Sequence, residues 1–100
     1  MISRPLSKNE INWINQILKQ ESSLSDSEKI FYQKQINNLK VTEEWDCCEP
    51  PCGSVNFNNY QNRSVGFADG EIAYRGKKVM ATLFCDPDTN KLTQLEIITD

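Results

Sequence analysis

The stretch Lys78-Val79-Met80-Ala81-Thr82-Leu83-Phe84-Cys85 decides the fold class. Val79, Ala81, Leu83 and Cys85 alternate with Met80, Thr82 and Phe84. Period two is the signature of a strand, and here both faces are largely apolar. Such a strand is expected in the middle of a sheet, beneath helices. Downstream, Asp86-Pro87-Asp88-Thr89-Asn90 turns the chain into a closing strand carrying Leu92, Leu95, Ile97 and Ile98. The slip in spacing between Leu92 and Leu95 predicts a bulge. Upstream, Gly76-Lys77 reads as a turn, Glu71–Arg75 as a strand, and Asp69-Gly70 as a hairpin turn from a strand with Val65 and Phe67. Ser54–Phe57 reads as a further strand. Leu39, Val41 and Glu43 alternate with Lys40, Thr42 and Glu44 as a short edge strand ending at Trp45.

The helices lie at the other end of the chain. Ser7-Lys8-Asn9-Glu10 and Ser25-Asp26-Ser27-Glu28 are capping boxes, in which a serine hydroxyl and a glutamate carboxylate satisfy each other's backbone N–H groups. Behind the first, Ile11, Ile14, Ile17 and Leu18 recur at helical spacing, predicting a helix over about 8–20. Behind the second, Tyr32, Ile36 and Leu39 form one stripe, with Ile30 and Phe31 on its flank, predicting a helix over about 26–38. Two helices followed by strands within 39–99 make an α+β domain: two N-terminal helices packed on one face of a four- to five-stranded antiparallel meander. One hundred residues form a single domain, 1–100, with a modest core.

Composition excludes more than it selects. There is no histidine, which removes Ser-His-Asp and Cys-His catalysis and histidine-containing zinc sites. No cofactor loop of the glycine-rich, phosphate-binding kind follows a strand. The net charge is −3. Residues 41–60 hold four acids and no base, whereas a nucleic-acid binder needs a dominant basic face. No apolar run is long enough for a membrane span. The N-terminus has no basic head followed by an apolar stretch, so a cytoplasmic protein is expected.

The acidic run Glu43-Glu44-Trp45-Asp46-Cys47-Cys48-Glu49-Pro50-Pro51-Cys52-Gly53 is the densest chemical feature. With Cys85 its cysteines could make a four-thiolate zinc site, although adjacent Cys47-Cys48 fit tetrahedral ligation poorly. A disulfide from Cys52 to Cys47 or Cys48 is sterically open. A nucleophilic thiol is disfavoured, because neighbouring acids raise its pKa. Reduced thiols packed in or near an acidic loop are the expectation for a cytoplasmic chain. Asp86-Pro87-Asp88-Thr89-Asn90 imitates a calcium loop, but Lys91 and Ile97 stand where it needs glycine and an acid.

The motifs RPLSKNEINWI at the start, CCEPPCGSVNF, GKKVMATLF and KLTQLEIITD together resemble small uncharacterised bacterial proteins with an N-terminal Arg-Pro-Leu helix and a cysteine-rich turn. CEPPC replaces the compact CGC turn of that pattern, which weakens any shared metal proposal. By type, a small acidic single domain is similar to the immunity proteins of contact-dependent growth-inhibition toxins. That resemblance implies a non-enzymatic protein that neutralises a basic, nuclease-type toxin by occluding its active site. The expected contact residues are Glu43, Glu44, Asp46 and Glu49 around Trp45, with Asp86 and Asp88 in second place. The alternative is a small structural domain, stabilised by zinc through Cys47, Cys48, Cys52 and Cys85. Nucleic acid, membrane and cofactors are not expected as partners.

Overall fold

A computed structural model describes residues 3–46, 53–58, 64–74 and 76–98. Both capping boxes start helices where expected. Ser7 Oγ accepts from the Glu10 N–H at 3.1 Å, and Glu10 Oε1 accepts from the Ser7 N–H at 2.8 Å. Helix α1 is Lys8–Gln20. The same exchange at Ser25 and Glu28 starts α2, Asp26–Ile36. That helix stops two residues short of the expected end, where Asn38 and Leu39 donate to carbonyls only three residues back. The strands are β1 Arg4–Pro5, β2 Lys40–Asp46, β3 Gly53–Phe57, β4 Val65–Tyr74, β5 Lys77–Cys85 and β6 Leu92–Ile98. They form one antiparallel sheet in the order β1-β2-β3-β6-β5-β4.

The fold is α+β as expected, but the sheet has six strands and is not a meander. β4, β5 and β6 follow one another by hairpins, and β3 lies beside β6, which is Greek-key order. The chain between Phe57 and Val65 therefore passes from β3 to the far side of β5. That step is about 14 Å, three strand spacings, well within reach of the intervening residues. Nothing in the local pattern announces it. β5 lies second from one edge rather than centrally, with β6 between it and β3.

One face of the sheet is packed. Val79, Ala81, Leu83 and Cys85 are buried beside Leu95, Ile97, Val41 and Phe57, under Ile14, Ile17, Leu18, Tyr32 and Ile36 of the helices. The opposite residues of β5 are not packed in the same way: Met80 is exposed, and Thr82 and Phe84 are half-buried. Helices thus cover one face only, contrary to the two-sided reading of this strand. Ile11 also falls outside the core, while Glu10 is buried. Slips in pairing at Thr93 and Thr42 mark bulges, the first of them between Leu92 and Leu95 as expected.

The Asp69-Gly70 turn does not exist, because β4 runs straight through it. Gly70 serves a close approach instead. A Cβ there would stand 3.2 Å from the Ile17 Cα and 3.2 Å from the Gln20 side-chain amide. Helix α1 rests against bare backbone at this point. Its side chains also occupy the free edge of β4. Gln20 Nε2 donates to the Glu71 carbonyl at 2.6 Å, and Gln20 Oε1 accepts from the Glu71 N–H at 2.9 Å. Glu21 accepts from the Asp69 N–H, and Trp13 Nε1 donates to the Ala73 carbonyl. The hairpin turn sits at Gly76, whose φ of +79° suits glycine.

Candidate functional site

The bulge at Thr42 breaks up the acidic strand chosen from the sequence. Val41 pairs with Phe57 and both are buried, but Glu43 pairs with Asn56 and Glu44 with Val55. Glu43 and Glu44, as strand neighbours, lie on opposite faces, and the bulge decides which face each takes. Glu44 is on the helix side, where Arg4 holds it; Glu43 is on the open side, half-buried. Trp45 and Asp46 continue β2 opposite Ser54 and Gly53. Glu49 lies outside the described residues. Asp86 is a correction: only 3% exposed, it cannot present its carboxylate to a partner. Its Oδ1 accepts from the Asp88 N–H at 2.6 Å and the Thr89 N–H at 3.3 Å, so it builds its own turn. Asp88 is exposed. That turn joins β6 at Leu92, whereas Asp46 pairs with Gly53, which meets β6 at Ile97. The structure therefore places Asp86 and Asp88 at the opposite end of the sheet from Asp46.

Arg4 was not singled out by the sequence. Its guanidinium donates to both Glu10 oxygens, at 2.8 and 2.9 Å, and to Glu44. It thereby ties β1, α1 and β2 together. Burial alone would push the Glu10 carboxyl up, but Arg4 and the Ser7 N–H outweigh it and hold the carboxyl below the ordinary range. The Glu10 hydrogen bond raises the already high Arg4 pKa further, more than burial lowers it. This is a structural clamp, and it pairs the exposed Glu44 with Arg4 on the helix side of the sheet.

What the pairing does assemble is the open face of the sheet. One row runs Glu43, Asn56, Gln94, Phe84, and a second runs Ser54, Glu96, Thr82, Asp69. Met80 and Glu71 stand opposite each other beyond these rows. Thr82 Oγ1 donates to Asp69 Oδ1 at 2.7 Å. Lys78 faces these acids, 3.9 Å from Glu71, with its side chain 83% exposed. The face thus carries Glu43, Asp69, Glu71 and Glu96 around an apolar pair, Met80 and Phe84. Of these acids the sequence pointed only to Glu43. The alternation of Met80, Thr82 and Phe84 was the signal for the others, through the strands that pair with them.

Cys47, Cys48 and Cys52 lie outside the described residues. Cys85 is buried against Tyr32 on the helix side. Burial pushes its thiol up, more than the Tyr32 hydrogen bond lowers it, and burial likewise pushes the Tyr32 hydroxyl up to about 12. Gly53 pairs with Ile97, and Ile97 with Ala81, four residues before Cys85. From Gly53 to Cys85 the separation is about 13 Å along the strand, in addition to two strand spacings. Among the described residues, no three Cys, Asp or Glu side chains converge on a metal position. Compared with known proteins, the chain matches no family model, no curated protein and no solved structure. No helix among the described residues is long and apolar enough to cross a membrane.

Proposed function

We propose that this chain is a non-enzymatic binding protein of the bacterial immunity type, whose uncovered sheet face occludes the active site of a basic, nuclease-type toxin. The observation that carries this reading is the open face itself, with Glu43, Asp69, Glu71 and Glu96 around Met80 and Phe84. A nuclease must present cations to phosphates, and an acidic surface competes for those cations and accelerates encounter. The exposed Met80 and the half-buried Phe84 among the acids supply contact area. The size is suitable. The molecule measures 33 × 32 × 22 Å, so its broad face can bury the roughly 800 Å² that one partner contributes to a standard interface. Absence of histidine from the sequence favours binding over proton-transfer catalysis.

The test uses Glu43→Lys with Glu96→Lys, which reverse charge on the open face and leave the Arg4 clamp intact. Tagged wild-type protein and the variant are used to capture partners from host lysate at low and high salt. Support would be one stoichiometric basic protein, held by wild type at low salt, released by salt and lost by the folded variant. A partner retained equally by the variant, or no partner at either salt, would overturn the reading.

A further inference from the structure

A cleft lies on the helix-covered side, away from the open face. It opens at the end of the sheet where the C-terminal half of α2 meets the β5–β6 turn and the end of β3. Its volume is about 350 Å³, at the small end of ligand clefts. Leu39 and Leu92, both buried in the core, contribute its floor, and Phe31 lines one side. Phe31 is 44% exposed although its neighbour Tyr32 is buried. The remaining lining is polar, with Asn38, Asn58 and Lys91 among it and no carboxylate. The Lys91 ammonium has no ion pair or hydrogen bond with any described residue. Nor does the Asn38 side-chain amide.

The rims are held in place before any ligand arrives. Gln35 locks helix to turn: its Nε2 donates to the Asn90 carbonyl and its Oε1 accepts from the Leu92 N–H, each at 2.8 Å. Asn58, at φ 56°, is fixed to β2 by its N–H to the Lys40 carbonyl at 2.8 Å and by its Oδ1 from the Lys40 N–H at 3.0 Å. A preformed apolar floor, with a cation at its rim that is unpaired among the described residues, selects for charge and for shape together and spares the entropic cost of ordering the backbone around it.

We propose that this cleft binds a small monoanion with an apolar tail, of the arylalkyl carboxylate class. The tail lies between Phe31 and the Leu39–Leu92 floor, and the carboxylate meets Lys91, with the Asn38 amide as a second donor. One cation matches one negative charge. Its position on the rim keeps the head group partly hydrated, so the charge need not be buried. This site shares no residue with the open sheet face, and each proposal can fail alone.

The experiment is a backbone amide chemical-shift titration of the full chain with 4-phenylbutyrate. The uncharged 4-phenyl-1-butanol and the cationic 4-phenylbutylamine serve as controls. Saturable shifts are expected at Asn38, Leu39, Asn58 and Leu92, with a dissociation constant on the order of 1 mM for so small a ligand. The amine should produce none. Lys91→Gln, which keeps the aliphatic stem, should weaken binding about three- to fivefold, and Phe31→Ala should weaken it for the acid and the alcohol alike. Both side chains are exposed, so the fold survives their replacement. Shifts that are absent, that do not saturate, that the amine reproduces, or that Lys91→Gln leaves unchanged would overturn the proposal.

Discussion

The two capping boxes allow one substitution to be compared in two surroundings. Glu10→Gln and Glu28→Gln alter the same motif position, and both glutamates accept from their own N-cap N–H. Glu28 is exposed, whereas the Glu10 side chain is 8% exposed and also receives both arms of Arg4. A hydrogen bond to a charged group contributes about 1.5–3 kcal/mol. Arg4 is about a third exposed, so solvent weakens its share, and glutamine keeps one acceptor oxygen. A loss of about 2 kcal/mol is expected for Glu10→Gln, or about 8–16 °C in Tm for a domain of this size. Glu28→Gln should cost clearly less. The pH dependence has a definite sign. The folded Glu10 pKa lies below its unfolded value, so its contribution is complete above about pH 4.3 and disappears as pH falls through the folded pKa. Thermal melts followed by circular dichroism between pH 7 and pH 3 measure the effect. Glu10→Gln should melt well below wild type at pH 7, and the gap should close toward pH 3. Equal losses for the two variants at pH 7, or a gap undiminished at pH 3, would refute the clamp.

Two other predictions rest on packing. Gly70→Ala should destabilise by about 1–2 kcal/mol in chemical denaturation, because the new methyl meets the α1 backbone at Ile17; an unchanged or raised midpoint would contradict the close approach. In a chain with Cys47→Ser, Cys48→Ser and Cys52→Ser, Cys85 should react with a thiol reagent only as fast as the protein opens, since burial both shields it and disfavours the thiolate. Labelling at the rate of a free thiol would place it at the surface.

Features encoded within a few residues were legible from the sequence. Ser7 with Glu10 and Ser25 with Glu28 specify helix starts through contacts three residues apart, and the Leu92–Leu95 slip specifies a bulge within one strand. Gly70 was misread because glycine signals both a turn and a bare surface, and only the position of α1 decides between them. The order of strands was not legible, since the β3–β6 pairing joins segments far apart in the chain and neither strand's own pattern names its partner. The candidate site was partly legible. An acidic strand was found, but the Thr42 bulge shifted its parity, turning Glu43 to the open face and Glu44 to Arg4. Asp86 has the composition of an exposed acid and the geometry of a turn builder, which only its hydrogen bonds reveal.

The side chains of α1 along β4 also bear on how this sheet could grow. A sheet polymerises only if each unit offers two free edges, one to accept a neighbour and one to be accepted. From Asp69 to Ala73 the β4 edge is occupied by Gln20, Glu21 and Trp13. The other edge is shortened by Arg4 and Pro5. A second copy could dock there once, but the pair would have no further place to extend. Fibre growth by edge addition is therefore blocked after a single step, and the broad uncovered face can stay exposed in a crowded cell without recruiting its own kind strand by strand.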